Sequence, residues 1–179
     1  MSVWFTSDLH IGHPKIAELR GFSTVKEHDD TIIHNISSKL LKRDKLFILG
    51  DVVWKPMHLR RLDEISCYKE LLFGNHDKLS TKEYMKYFQK LHGFVRYKNF
   101  WLSHCPIHPQ EIHRCMGNIH GHIHNKAATK PLDKPYYCVN LDFHDLFPVQ
   151  FETIRDSFEE YHTKDIMKDF KRPEELINA

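Results

Sequence analysis

The chain has 179 residues, of which 41% are hydrophobic and 28% charged, and this composition is typical of one globular domain spanning residues 1–179. Its formal net charge of +2, from 26 basic and 24 acidic residues, does not indicate a nucleic-acid-binding protein. No apolar run approaches a membrane span of about 20 residues and no basic signal segment opens the chain, so we predict no membrane association and a cytoplasmic location. The four cysteines form no C-x-x-C pair, and we interpret them as reduced thiols.

The first half of the sequence alternates between strand-like and helix-like stretches. Three short apolar runs predict strands at residues 3–6, 46–49 and 70–73. Between them, apolar residues spaced three and four apart predict a helix around residues 32–41 and a shorter one around residues 59–65. This alternation predicts a largely parallel sheet covered by helices.

The second half has a different pattern. Ser80 and Glu83 are spaced as a capping box, which predicts a helix running to about Leu91. Strands joined by turns are then predicted at residues 100–103, 118–120 and 136–143. Residues 152–172 predict one or two terminal helices. We therefore expect an α/β fold in which a second sheet packs on the first.

Each of the first three predicted strands ends at polar side chains that are typical metal ligands. Because the carboxyl ends of parallel strands lie at one edge of a sheet, these side chains are expected to converge. They are Asp8, His10, Asp51, Asn75 and His76. The strands of the second half are followed by His104, His122 and His124.

The chemistry of this set is specific. Carboxylate, imidazole and amide oxygen without thiolate suit divalent ions such as Mn²⁺, Fe²⁺ or Zn²⁺. The ligands are too many for one ion that must also hold water, but they suit two ions that share one bridging carboxylate. The sequence therefore predicts a two-metal centre, whose positive charge favours a phosphate substrate.

These motifs, together with the stretch from Trp4 to His13, resemble the calcineurin-like metallophosphoesterase superfamily, in particular its small single-domain members in bacteria and phages. The resemblance implies a four-layer α/β/β/α sandwich of two mixed sheets flanked by helices. It also suggests that the chain is phage-encoded and acts in the cytoplasm of the host.

The resemblance further implies a role for each ligand. One ion would be bound by Asp8, His10, Asp51 and His124. The second would be bound by Asp51, Asn75, His104 and His122. His76 would be the general acid at the leaving group, and a hydroxide bridging the ions would be the nucleophile. Mn²⁺ is the leading expectation for both ions, with Fe, Zn or Ni as alternatives.

One departure from the family pattern affects the function that we predict. Protein Ser/Thr phosphatases of this superfamily carry an Asp three residues after the bridging Asp, followed by Arg-Gly, where this sequence has Val52-Val53-Trp54-Lys55. The usual acidic partner of the catalytic histidine is thus missing, and Asp77 is the candidate substitute. This departure argues against a protein phosphatase.

We therefore expect a phosphodiesterase that acts on small nucleotide-type or cyclic nucleotide substrates. A phosphomonoesterase of small phosphate esters is the first alternative and a nuclease the second, although the sequence contains no evident basic groove. A non-catalytic metal-binding interaction module is the alternative from a different class. The sequence does not predict an oligomeric state.

Three residues outside the ligand set are candidates for binding the substrate. His13 could line the pocket, or it could cap the helix that begins near Pro14. Arg20 and Arg114 could bind phosphate through two parallel hydrogen bonds, or they could form salt bridges.

Overall fold

The computed structural model describes residues 1–112, 115–124 and 136–159, and these residues form two mixed sheets with helices, an α/β architecture. The strands are β1 (Val3–Thr6), β2 (Lys45–Ile48), β3 (Tyr68–Leu72), β4 (Lys90–His92), β5 (Val95–Tyr97), β6 (Phe100–Leu102), β7 (Gly117–His120), β8 (Tyr136–Cys138) and β9 (Val149–Gln150). The α-helices are α1 (Pro14–Leu19), α2 (Val25–Lys39), α3 (Thr81–Tyr84) and α4, described over residues 151–159. Short 3-10 helices occupy Pro56–Glu64, Pro109–Ile112 and Leu141–Phe143.

Both sheets are mainly parallel. The first has the strand order β4-β3-β2-β1-β9, in which only β9 is antiparallel to its neighbour. The second has the order β5-β6-β7-β8, in which only the β5–β6 pair is antiparallel. The predicted parallel first sheet and the predicted second sheet are both confirmed.

Two predicted elements differ from the structure. The capping box is present, with Ser80 and Glu83 hydrogen-bonded to each other's backbone, but α3 ends at Tyr84 instead of continuing to Leu91. Residues 90–92 pair with the edge of β3 instead, so sheet pairing overrides the local helical pattern. The last predicted strand also ends early, at Cys138, and Leu141–Phe143 form a 3-10 helix.

The predicted helices of the first half are present with shifted ends. The helix expected around residues 32–41 is α2, which ends at Lys39 and leaves the Leu41 side chain outside it and 55% exposed. The shorter helix is of the 3-10 type and buries Leu59 and Leu62.

The first sheet is buried on both faces, which explains the continuous apolar run in β2. Leu46 and Ile48 pack with α2 in one hydrophobic cluster. Phe47 and Leu49 point the other way, into the cluster between the two sheets. Alternate residues of a strand face opposite sides, so a strand covered on both sides has no polar face.

The cluster between the sheets is rich in aromatic rings. Phe5 of β1 stacks on Phe47, with ring centroids 5.1 Å apart, and Phe100 of β6 lies in the same cluster. Phe151 and Phe158 of α4 join it, so the predicted terminal helix is present over its described part and packs on the sheets. The rest of the predicted terminal segment, from residue 160 onwards, lies outside the described residues.

The other face of the second sheet is covered differently from the first. In the described part of the chain, Asn118 of β7 accepts a hydrogen bond from the N–H of Ile107, and Tyr136 of β8 donates one to the carbonyl oxygen of Ile107. The loop that contains the 3-10 helix Pro109–Ile112 therefore packs there.

No helix within the described ranges has the length and apolar character needed to cross a membrane.

Candidate metal centre

The loops after β1 and β2 continue the parallel pairing of their strands, and this pairing positions the first candidate ligands. The backbone N–H of Asp8 donates to the carbonyl oxygen of Gly50 at 2.9 Å, and that of His10 donates to the carbonyl oxygen of Asp51 at 3.0 Å. Asp8, His10 and Asp51 therefore meet at the carboxyl edge of the first sheet, where ligands of such sheets gather.

Four of the candidate ligands have a left-handed backbone conformation. The φ angle is 57° at Asp8, 49° at His10, 57° at Asp51 and 69° at His122. A residue other than glycine in this region costs on the order of 1–3 kcal/mol, and such residues concentrate at functional sites. The fold therefore holds these side chains in place at the expense of local backbone energy.

Two glycines make room for the ligands. Gly50 has φ +89°, and a Cβ atom there would lie 2.5 Å from Nδ1 of His104. A Cβ atom on Gly121 would collide with the Ser7 hydroxyl and the Asp8 carboxylate. The two sheets approach each other too closely at these points for any side chain.

The first group of donor atoms comes from Asp8, His10 and His124. Nε2 of His124 lies 3.3 Å from Nε2 of His10 and 3.5 Å from Oδ1 of Asp8. Oδ2 of Asp8 accepts hydrogen bonds from the Ser7 hydroxyl and the His122 N–H, whereas its Oδ1 is buried with no hydrogen-bond partner among the described residues. An unpaired buried carboxylate oxygen is costly, so this atom needs a cation beside it.

The second group comes from Asn75, His104 and His122. Oδ1 of Asn75 lies 2.9 Å from Nε2 of His104 and 3.0 Å from Nδ1 of His122, and the two nitrogens are 3.1 Å apart. Nδ1 of His104 donates to the carbonyl oxygen of Leu49 at 2.7 Å, so in the neutral ring Nε2 carries the lone pair. Three donor atoms thus converge on one point.

Asp51 lies between the two groups. Its Oδ2 is 3.8 Å from Nε2 of His10 in the first group and 3.5 Å from Nε2 of His104 in the second. Its Oδ1 accepts the backbone N–H of His76 at 2.9 Å. One buried oxygen atom therefore faces both groups, as a bridging ligand would.

The pKa values of the first group follow from burial and hydrogen bonding. Burial lowers the pKa of His10 to about 3, so its ring is neutral at physiological pH. The hydrogen bond with Asp142 and the nearby Asp8 carboxylate raise the pKa of His124 to about 9. Burial would raise the pKa of Asp8, but the nearby His124 ring and the hydrogen bond from Ser7 lower it overall. The carboxylate is therefore ionised and attracts positive charge.

Asp142 is part of this centre and was missed in the sequence, because nothing near it resembles a ligand motif. Its Oδ2 accepts a hydrogen bond from Nδ1 of His124 at 2.7 Å, and its Oδ1 accepts one from Nε of Arg20 at 2.7 Å. The carboxylate thereby turns Nε2 of His124 towards Asp8 and His10. A carboxylate behind a histidine in this way fixes its tautomer and its orientation.

The contacts of Arg20 match the salt-bridge alternative. Besides Asp142, its guanidinium donates to the carbonyl oxygens of Leu9 at 3.2 Å and Asp8 at 2.8 Å, and its side chain is 6% exposed. These contacts commit Arg20 to holding the loop after β1, in agreement with the salt-bridge alternative. Arg114 lies outside the described residues.

The prediction that Asp77 is the acidic partner of His76 is wrong. Its buried carboxylate accepts backbone N–H groups of Asp51 and Gly74, each at 2.8 Å, and the hydroxyl of Tyr84 at 3.2 Å. Burial raises its pKa. Asp77 therefore joins the loops after β2 and β3 and is not bonded to the His76 ring.

The exposed His76 side chain lies at the rim of the centre. Its ring centroid is 5.7 Å from that of His10. His13 also borders His10, with centroids 5.7 Å apart, and packs on Trp54 at 4.1 Å. Nδ1 of His13 accepts the N–H of Ile16 at the start of α1, so His13 is a helix cap as well as a neighbour of the centre.

Cys105 is a further donor that the sequence did not single out. Its sulfur lies with ring nitrogens of His104 and His122 in a group whose atoms are all within 4.8 Å of one another. Burial, followed by the charges of Asp51 and Asp8, raises the pKa of the Cys105 thiol. The position directly after His104 is the only local signal for it.

Two cavities border the centre. One, of about 520 Å³, contains His124, Asp142 and Asp145 and has walls formed by Ile16, Leu19, Leu141 and Leu146. The other, of about 190 Å³, is lined by Val53, Trp54, Lys55, His76, Lys78 and Leu79. One cavity is therefore lined by the candidate ligand His124 and the other by His76 at the rim.

Comparison with known proteins places the chain in a phage protein family. It is 30% identical to the gene 66 protein of Mycobacterium phage D29, in a match that covers 83% of this chain and 92% of that protein. The chain belongs to the family of this gene 66 protein. A match to the gene 66 protein of Mycobacterium phage L5 has 39% identity but spans only 42% of this chain and 40% of the phage L5 protein. No protein-family model matches the chain.

The fold of this gene 66 family member also occurs in a cellular protein. The crystal structure of AQ665, a protein of unknown function from Aquifex aeolicus, superposes with a TM-score of 0.69 and 28% identity. The superposition covers 87% of this chain and 98% of that protein. The two-sheet α/β architecture is therefore shared across almost the whole of the Aquifex protein.

Proposed function

We propose that this gene 66 family member is a two-metal phosphoester hydrolase of the calcineurin-like type, with its four-layer sandwich fold, acting on phosphodiesters of small nucleotide-type or cyclic nucleotide substrates. The observation that carries the proposal is that Oδ2 of Asp51 faces two separate groups of donor atoms. One group contains the unpaired Oδ1 of Asp8, and the other contains Oδ1 of Asn75. A pair of ions that shares one carboxylate is the usual arrangement for hydrolysing phosphate esters.

The donor atoms of both groups fit divalent cations. Asp8, His10 and His124 would hold one ion, Asn75, His104 and His122 the other, and Asp51 would contact both. The oxygen and imidazole donors suit Mn²⁺, with Fe, Zn or Ni as alternatives, and Cys105 would favour the softer of these ions. Such ions would act as Lewis acids and would make bound water acidic enough to be a nucleophile near neutral pH.

The protein's own residues then select and orient an anionic substrate. Only two of the ligands, Asp8 and Asp51, are carboxylates, so they neutralise half of the positive charge of two divalent cations. The centre therefore attracts phosphate. His76, exposed at the rim, would be the general acid that donates a proton to the leaving oxygen, a role that histidine fills more often than any other side chain.

The two cavities favour a diester over a monoester. A phosphodiester has two organic groups, and each needs space beside the reacting phosphorus. The centre has one cavity on the His124 side and another on the His76 side. A monoester would occupy only one of them.

The proposal is tested with purified protein in which the metal has been removed and then restored. Bis(4-nitrophenyl) phosphate, 4-nitrophenyl phosphate and 2′,3′- and 3′,5′-cyclic nucleotides are assayed with Mn²⁺, Ni²⁺, Zn²⁺ and Mg²⁺. We expect metal-dependent hydrolysis with a preference for diesters, lost in Asp51→Asn. Asp63→Asn, an exposed carboxylate outside the centre, is the matched control and should keep full activity.

Three results would contradict the proposal in different ways. Faster turnover of monoesters would replace the diesterase with the phosphomonoesterase. Metal binding without turnover of any ester would favour the non-catalytic interaction module. Full activity in Asp51→Asn would show that the hydrolysis does not depend on the proposed bridging carboxylate.

A further inference from the structure

The cavity beside His76 combines an exposed aromatic ring with two positive charges. Trp54 is 45% exposed, and Lys55 and Lys78 line the same space. Among the described residues, neither ammonium group has a carboxylate within salt-bridge distance. Two unpaired cations beside an exposed tryptophan form a surface that suits a flat, negatively charged group.

This cavity lies next to the candidate metal centre. His76, one of its lining residues, has its ring centroid 5.7 Å from that of His10. Trp54 reaches the same ligand through His13, whose ring centroid lies 4.1 Å from that of Trp54 and 5.7 Å from that of His10. A group in the cavity would therefore lie next to the reacting phosphate, on the side where His76 donates its proton.

The cavity at His124 has a different balance of charges. Its two carboxylates, Asp142 and Asp145, are offset by the guanidinium of Arg20, which is already bonded within the protein, and by His124. Its other walls are leucine and isoleucine side chains. An extra negative charge would meet no unpaired ammonium group among the described residues of that lining, whereas it would be attracted to Lys55 and Lys78.

We propose that the cavity of Trp54, Lys55 and Lys78 is the leaving-group subsite, and that it takes an aromatic leaving group with a negative charge of its own. A nucleoside that bears a second phosphate has this chemistry. The base would stack on Trp54 and the second phosphate would lie between the two ammonium groups. The inference rests on the proposed function and adds to it the chemical nature of the leaving group, which is aromatic and negatively charged.

The experiment compares three dinucleotides that differ by one phosphate: deoxyadenylyl-deoxyadenosine, the same molecule with a 5′-phosphate, and the same molecule with a 3′-phosphate. The 5′-phosphate and the 3′-phosphate lie on different nucleosides, so whichever nucleoside is the leaving group, one of the two phosphorylated forms carries the added charge on it. We expect its kcat/KM to exceed that of the unphosphorylated form by about tenfold, and we expect this ratio to fall as salt is added.

Variants identify the residues responsible. In Lys55→Ala/Lys78→Ala the ratio should fall to about one, whereas the control Lys42→Ala/Lys86→Ala, which removes two exposed lysines elsewhere, should keep it. Trp54→Ala should raise KM for all three dinucleotides by about tenfold, and Trp54→Phe should largely restore it. Melting temperature and metal content are measured for each variant, so that a folding defect is recognised.

Two outcomes would overturn the inference while the proposed function stands. The first is a wild-type enzyme that cleaves bis(4-nitrophenyl) phosphate but favours neither phosphorylated dinucleotide. The second is a preference that persists unchanged in Lys55→Ala/Lys78→Ala. If no ester, including bis(4-nitrophenyl) phosphate, is hydrolysed with any metal, the proposed function fails and the subsite inference fails with it.

Discussion

Nδ1 of His124 donates to Oδ2 of Asp142 across 2.7 Å, and this contact sets which nitrogen of the histidine faces the centre. Arg20 holds the other oxygen of the same carboxylate and also binds the carbonyl oxygen of Asp8. Two candidate ligands that are far apart in the sequence, Asp8 and His124, are thereby held together by one ion pair. The geometry of the candidate ligands thus depends on residues that are not themselves candidate ligands.

Replacing Asp142 should weaken metal binding at one position only. Asp142→Asn removes the carboxylate that orients His124, and loss of such a partner typically lowers metal affinity about 10–100-fold. Isothermal titration with Mn²⁺ should show one weakened site and one unchanged site. Asp156→Asn, an exposed carboxylate on α4, is the matched control. Equal weakening of both sites would contradict the assignment of His124 to a single ion.

Replacing His76 should affect substrates according to their leaving groups. His76→Ala should slow diesters with alkoxide leaving groups about 10²–10⁴-fold, because these need a proton as the bond breaks. Nitrophenyl esters should slow far less. Metal content should not change, since the contact of residue 76 with Asp51 is through its backbone N–H.

The matched control for this prediction is His34→Ala, which removes an exposed histidine from α2 and should leave both rates unchanged. Equal losses on both kinds of ester in His76→Ala would count against a general acid and would indicate a role in binding.

Gly50 should tolerate no side chain. Gly50→Ala places a Cβ atom 2.5 Å from Nδ1 of His104 in a residue with φ +89°. The backbone strain alone is about 1–2 kcal/mol, and displacement of His104 should weaken metal binding in addition. Chemical denaturation and metal titration measure the two effects. Gly93→Ala is the control, because nothing lies within 4 Å of a Cβ atom there; similar losses in both variants would refute the steric argument.

Glu70 should make stability depend on pH. Burial would raise the pKa of Glu70, but hydrogen bonds from Lys45 and His92 outweigh it, so the pKa is lowered in the folded state. This contribution to stability is present above the unfolded pKa of about 4.3 and is lost as the pH falls through the folded value. The difference in urea midpoint between wild type and Glu70→Gln should therefore shrink as acid is added.

The control for this pH dependence is Glu18→Gln, since Glu18 is an exposed carboxylate on α1. Its difference from wild type should be small and nearly constant over the same pH range. A midpoint difference for Glu70→Gln that grows in acid would contradict the sign of the pKa shift.

Much of the fold could be predicted because local patterns coincide with the elements that form. The apolar run at residues 46–49 is a strand buried on both faces, and the capping box at Ser80 is present. The length of α3 could not be predicted, because residues 90–92 are held by pairing with β3, a contact between distant parts of the chain. Local periodicity does not contain that information.

The sequence by itself determined which residue types stand at the strand ends, and therefore that Asp8, Asp51 and Asn75 would gather at one edge, because a strand's direction and end are local properties. Only the tertiary structure decided which carboxylates accept hydrogen bonds from histidine rings and which accept them from backbone N–H groups. Asp142, after β8, meets His124, after the neighbouring strand β7, and Asp77 accepts hydrogen bonds from N–H groups of the loops after β2 and β3. Such pairings depend on how loops from separate strands are brought together, and that arrangement results from burial summed over the whole chain.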